Sequence, residues 1–270
     1  MSDSVWQIHS RACDAGQSEY IDPQTGYSVF TRLGLLQRGR CCGAGCRHCP
    51  YAHESVLIEQ RVGKIQQAAW LTKHDTKHEG KREVLFWSGG KDSYLAYLAL
   101  QKNLQPLNSI VLLTTFDVSS GMIAHQDLHI DVIVSQAKKL EVSLLGVPLH
   151  PGQEYLDQLV PALALVPNAN ALCFGDLHLE HIREWREQAF KTRSDFAHLQ
   201  LKFPLWGESY PDLLAVLEGA NVECIVSAVM DADVGVSVGD KFDRDLVSRL
   251  PAHVDAFGEN GEFHTRVEMK

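Results

Sequence analysis

From Glu83 onward, apolar residues fall into short continuous runs separated by longer mixed stretches. Val84-Leu85-Phe86-Trp87 has no polar interruption, the pattern of a strand buried on both faces. A helix is expected from Asp92 to Leu104, a strand over Ile110–Phe116 and a helix over Leu128–Leu140. Further strands are expected at Val142–Val147, Ala171–Gly175 and Cys224–Val229. Further helices are expected at Glu154–Leu165, Leu177–Thr192 and Tyr210–Leu217. Strands alternating with helices predict an α/β fold with a doubly wound, mostly parallel, Rossmann-like sheet. Ligands on such sheets bind outside the carboxyl ends of the strands.

The earlier part of the chain reads differently. Residues 1–19 show no clear periodicity and are expected to form a loose tail. Residues 20–53 are rich in Gly, Pro, Arg and Cys, as in a small module held by something other than a core. One helix is expected over 54–71, burying Val56, Leu57, Ile65, Ala68 and Ala69. The polar stretch 72–82 reads as a linker. The expected organisation is therefore tail 1–19, Cys-rich module plus helix 20–71, linker 72–82 and a large domain over 83–270.

Composition narrows the function classes. With 45% apolar residues a sizeable core can be buried. No apolar run reaches membrane-spanning length, and Met-Ser-Asp-Ser-Val-Trp lacks the marks of a secretory signal. A soluble, cytoplasmic protein with no membrane partner is expected. A net charge of -9 argues against a general coat for nucleic acid. The charge is uneven, however: residues 1–83 carry 11 positive and 9 negative groups, the remainder 14 and 25. Arg32, Arg38, Arg40 and Arg47 lie in a stretch with no acidic residue, either a site for phosphate or an anionic cluster, or a solvated loop.

The clearest chemistry is Ser88-Gly89-Gly90-Lys91-Asp92-Ser93, between a buried strand and a helix start. Two glycines let the main chain turn sharply and approach a ligand. The helix N-terminus adds unpaired N–H donors and partial positive charge. Ser88 and Ser93 add hydroxyls, and Lys91 can neutralise phosphate oxygens. The spacing is neither that of the Walker loop nor that of the dinucleotide fingerprint.

The hexapeptide resembles the PP-loop of the N-type ATP pyrophosphatases. That superfamily includes asparagine, GMP and NAD synthetases, tRNA thiolases and diphthine–ammonia ligase. The resemblance implies that the loop, Ser88, Gly89, Gly90, Lys91, Asp92 and Ser93, binds ATP with Mg2+ through its β- and γ-phosphates. It implies that pyrophosphate leaves, that a substrate oxygen is adenylated, and that ammonia or sulfur displaces AMP. Three later stretches, Phe174-Gly175-Asp176 leading into Glu180–Glu187, Phe203-Pro204-Leu205-Trp206, and Gly258–Thr265, resemble the diphthine–ammonia ligase branch. The likeness covers about Glu83 to Val267.

On this reading Asp176, at a strand's carboxyl end, meets nucleotide or substrate. Arg183 and Arg186, three apart on one helix face, hold an α-phosphate or a carboxylate, or else pair with Glu180, Glu184 and Glu187 on a solvated face. Glu259 and Glu262 bind ammonium, orient the amine or serve as base; the plain alternative is a polar turn. Lys91, Asp92, Asp176, Glu259 and Glu262 are the candidate catalytic set. His125, Trp206, Gly261 and His264 are candidate substrate contacts. His264 stands where that branch commonly carries an acidic residue.

Four of the seven cysteines, Cys41, Cys42, Cys46 and Cys49, fall within nine residues, which favours metal over disulfides. Zinc needs four ligands, drawn from these and His48 or His53. An iron–sulfur cluster needs thiolates, and three can leave one iron open. Cys42, Cys46 and Cys49 have the radical-SAM spacing, but the chain lacks the barrel such enzymes need. Cys173 and Cys224 lie in apolar runs and read as inert core residues. Tyr20–Tyr27 and Arg38–Pro50 resemble a small domain of unknown function that also occurs fused to PP-loop domains.

Three functions are therefore open: an adenylating amide ligase acting on a carboxylate with ammonia; an iron–sulfur sulfur-transfer enzyme acting on tRNA or a thio-compound, with its sulfur donor; and a non-catalytic nucleotide sensor. A tRNA or protein substrate and a homodimer also stay open.

Overall fold

The computed structural model describes residues 5–51, 53–56, 60, 64–74, 80–124, 126–230 and 233–270. The N-terminal region contains α1 (Val5–Asp14), β1 (Glu19–Ile21), β2 (Ser28–Phe30), α2 (Arg32–Leu36) and β3 (Ala69–Thr72). Then come β4 (Arg82–Phe86), α3 (Lys91–Lys102), β5 (Ser109–Asp117), β6 (Met122–Ile123), β7 (Leu128–His129), α4 (Ile130–Lys139), β8 (Ser143–Leu149) and α5 (Tyr155–Leu163). The chain continues through β9 (Ala169–Cys173), α6 (Glu180–Lys191), β10 (Gln200–Lys202), α7 (Tyr210–Gly219), β11 (Val222–Val229), α8 (Arg244–Ser248) and β12 (Phe263–Met269).

Six strands form one sheet in the order β10-β9-β4-β5-β8-β3. All pair in parallel except β3, which runs antiparallel to β8 at the edge. The continuous apolar runs have a simple cause. Leu85, Leu112 and Leu144 face one core, which includes residues of α3, α4 and α7. Their neighbours Val84, Leu113 and Leu145 face a second core, which includes residues of α5 and α6. Both faces of the sheet are covered, so consecutive positions must be apolar. The fold is the expected doubly wound α/β architecture with a Cys-rich segment near its N-terminus.

From β4 the chain winds outward through β5 to β8, then returns through α5 to β9 on the other side of β4. The winding reverses between β4 and β9, and their carboxyl ends open a crevice there.

Several expectations are corrected. Residues 5–14 of the expected tail form a helix that buries His9 and Ala12, a stripe too small and polar to read as periodicity. The expected helix over 54–71 meets a strand at its end: Ala69–Thr72 pairs with β8. Cys224–Val229 is a strand, but β11 pairs antiparallel with β12 in a separate sheet rather than joining the parallel one. Among the described residues, no helix is long and apolar enough to cross a membrane.

Candidate functional site

Ser88 to Ser93 make the turn from β4 into α3. Gly89 has φ +84°. A Cβ there would lie 2.4 Å from Ile133 Cδ1 and 2.8 Å from Gln136 Oε1, so backbone angle and space both require glycine. Gly90 caps α3. A Cβ on it would come within 2.8 Å of the Thr265 carbonyl oxygen.

The terminal segment is stitched to this turn. Val267 N–H donates to Gly89 O at 2.9 Å, and Lys91 N–H donates to Thr265 Oγ1 at 3.1 Å. Gln136, buried on α4, joins three partners: Nε2 donates to the carbonyls of Gly89 (2.9 Å) and Val267 (2.8 Å), and Oε1 accepts from the Trp87 indole (2.9 Å).

Lys91 is only 2% exposed. Its Nζ lies 2.9 Å from Asp92 Oδ2 and 5.3 to 6.0 Å from the ring centroids of Phe257, Phe242 and Phe263. Burial alone favours the neutral amine, but the carboxylates of Asp92 and Glu259 outweigh it and hold Lys91 above its usual range. It is a buried cation with aromatic faces around it.

A cavity of about 390 Å³ opens at the strands' carboxyl ends, lined by Lys91, Asp92, Asp176, Arg186, Glu259 and His264 among others. Ser88, Ser93 and Gly261 also reach it. Burial, then the charge of Asp92, pushes the Glu259 carboxyl up to about 8. Asp92 Oδ1, Thr114 Oγ1 and Gln126 Oε1 are buried without hydrogen-bond partners among the described residues. All three residues line this cavity. Buried polar atoms are normally paired, so their concentration here points to a polar occupant.

Asp176 receives a two-pronged contact from Arg186, at 2.6 and 3.0 Å. Gly175 brings β9 against the start of α3: a Cβ there would lie 2.9 Å from Asp92 O. Arg183 is elsewhere. It donates to Glu187 at 3.1 Å, and its guanidinium lies over the rings of Trp206 (4.7 Å) and Phe203 (5.0 Å). Neither Arg183 nor Trp206 lines the cavity. Glu262 is also set apart: its carboxylate accepts from Asp255 N (2.8 Å), Asn260 N (3.1 Å) and Asn260 Nδ2 (3.2 Å), closing the terminal loop on itself. His125 lies outside the described residues.

Other residues shape the site without having been singled out from sequence. Asp255 accepts from the N–H groups of Phe257 (2.8 Å) and Glu259 (3.1 Å) and from the Tyr210 hydroxyl (2.8 Å), fixing the turn that carries Glu259. Thr114 and Thr115 line the cavity. Their signal was available: two hydroxyls near the carboxyl end of an otherwise apolar strand. Gln136, Tyr210 and Asp255 had no such signal, because their partners come from distant segments.

The four clustered cysteines form two pairs. Cys42 and Cys46 sulfurs are 3.4 Å apart, and Cys41 and Cys49 sulfurs 3.9 Å. Among the described residues no three Cys, His, Asp or Glu side chains gather as metal ligands. His48 is engaged elsewhere, 2.8 Å from the Tyr20 hydroxyl and stacked on His9 at 3.7 Å. Burial, then His9, pushes it down to about 3. His53 Nε2 lies 2.7 Å from Cys46 O. As placed, the four thiols stand as two pairs. Cys173 and Cys224 are buried core thiols, and burial pushes Cys224 up to about 12.

Residues 8–55 match a family of unknown function, DUF5522. Among solved structures, the chain is similar to the Candida glabrata FMN adenylyltransferase in complex with FMN and an ATP analogue. The identity is 14% and the TM-score 0.39, over 54% of this chain and 51% of that one. This chain thus spans about half the length of that enzyme. It is also similar to the U34-tRNA thiolase NcsA of Methanococcus maripaludis with its [4Fe-4S] cluster, at 12% identity and TM-score 0.35, over 75% of this chain and 69% of that one.

Proposed function

We propose that the chain binds ATP in the crevice between β4 and β9 and splits it into AMP and pyrophosphate, activating a carboxylate for attack by ammonia. One observation carries this reading: the Ser88–Ser93 turn and the Gly258–Thr265 turn, distant in sequence, line a single cavity that holds the side chains of Lys91, Asp92 and Glu259. The first turn, with Lys91 and the N-terminus of α3, suits the phosphates. Asp92, with Oδ1 unpartnered among the described residues, is the carboxylate that would hold Mg2+. When bound, that ion supplies neutralisation of phosphate charge.

Arg186, held by Asp176, suits the α-phosphate. Glu259, titrating near 8, suits the base that takes a proton from the attacking amine. His264 and Gly261 line the same cavity and would meet the acceptor carboxylate. Diphthine–ammonia ligase is the branch whose motifs supply this arrangement, and the acceptor is a carboxylate of that general class.

The test is product analysis. Purified protein with ATP, Mg2+ and ammonium salts is expected to release AMP and pyrophosphate. Lys91→Ala should lower that turnover at least about 100-fold, as for loss of a main transition-state donor. Formation of ADP and phosphate instead would end this reading.

A further inference from the structure

A second surface lies on the N-terminal module and uses none of the groups above. β1 and β2 form a hairpin in which Tyr20 is buried and Ile21 and Phe30 point outward. Ile21 is 62% exposed, Phe30 40% and Tyr27, just before β2, 76%. Leu33 and Leu36 on α2 are exposed beside them in sequence. Five of the large apolar side chains that stand exposed thus fall within this one small module.

The charges around it state the partner's chemistry. From Pro23 to His53 there are four arginines and no Asp or Glu, in a chain of net charge -9. Arg47 is tied to the buried Asp22 at 3.0 Å. Arg38 and Arg40 are exposed, and the Arg38 guanidinium lies 4.6 Å from the Phe30 ring centroid. Glu19, the carboxylate paired across the hairpin with Phe30, is engaged by the Ser28 hydroxyl. The module therefore carries exposed rings and exposed guanidiniums, and one such pair, Phe30 and Arg38, lies together.

We propose that this face binds single-stranded nucleic acid, with bases stacking on Tyr27 and Phe30 and phosphates meeting Arg38 and Arg40. Unpaired bases expose the flat faces these rings can stack on, and the backbone supplies the anion. A duplex keeps its bases stacked inside, so the aromatic groups gain little from it. The acidic remainder of the chain repels a polyanion and confines binding to this module.

Fluorescence anisotropy with the full chain and labelled single strands of about 20 nucleotides, RNA and DNA, tests this. Single strands should bind more tightly than the duplex of the same sequence. Between about 50 and 200 mM salt, log K should fall with log salt, and R38Q/R40Q should reduce the slope by about 1.4. Tyr27→Ala and Phe30→Ala should each weaken binding at least about fivefold with the slope unchanged. Lys91→Ala should leave binding unchanged, which separates this result from the fate of the ATP reading. Absence of binding at low salt, equal affinity for duplex, indifference to both aromatic substitutions, or a protein seated on this face in place of the oligonucleotide would each overturn it.

Discussion

At the scale of single residues, the site is built by groups that only their surroundings make unusual. Gly89 is held at φ +84° with Ile133 and Gln136 where a side chain would start. Gly89→Ala should therefore lower stability by about 2 kcal/mol, read from urea or thermal unfolding, and reduce ATP affinity with it. Glu259 offers a pH test with a definite sign. Its carboxyl titrates near 8 in the folded chain against an ordinary value of 4.5. The folded state thus binds the extra proton between those values, and stability falls as pH rises through that window. Glu259→Gln should flatten that part of the stability profile. If Glu259 is the base, wild-type turnover should rise with a midpoint near 8, and the variant should lose roughly 100-fold or more. The motifs singled out Lys91, Asp92 and Glu259, which the fold brings to one cavity. The separation of Glu259 from Glu262 was not legible, because the two carboxylates share a turn and only the folded loop shows which one closes it.

At the scale of elements, the junction of β4, α3, α4 and β12 decides the geometry of the site. Gln136 is the node, bonded to Trp87 and to the main chain of Gly89 and Val267. Gln136→Leu leaves a buried indole N–H and two carbonyls without this partner. A loss of about 3 kcal/mol is expected in chemical denaturation, with ATP binding weakened in step. Strands β4, β5, β8 and β9 and helices α3 to α7 could be read directly, since burial on both faces writes continuous apolar runs between amphipathic helices; β6, β7 and β10, two or three residues long, are too short to write such a run. The partner of β11 could not be read: an antiparallel pairing with a distant segment leaves the same local pattern as a parallel strand. α1 escaped for another reason, since the positions it buries are His9 and Ala12 rather than large apolar residues.

At the scale of the whole molecule, one cavity joins residues from opposite ends of the large domain. Lys91 and Glu259 interact across it, so their contributions should not add. In a double-mutant cycle, Lys91→Ala with Glu259→Gln should cost turnover little more than the worse single substitution. Losses that simply multiply would mean that the two groups act separately. The local pattern along the chain was enough to establish the α/β winding, the glycine turn at its first strand and the crowding of cysteines, because strand burial, turn geometry and residue type are all written within a few neighbours. The folded chain alone placed Arg186 in the crevice and Arg183 against Trp206, divided four cysteines into two pairs, and set β12 against the Ser88–Ser93 turn. Those outcomes depend on which distant surfaces meet, and side-chain direction and long-range pairing carry no signature in the spacing of residues along a single segment.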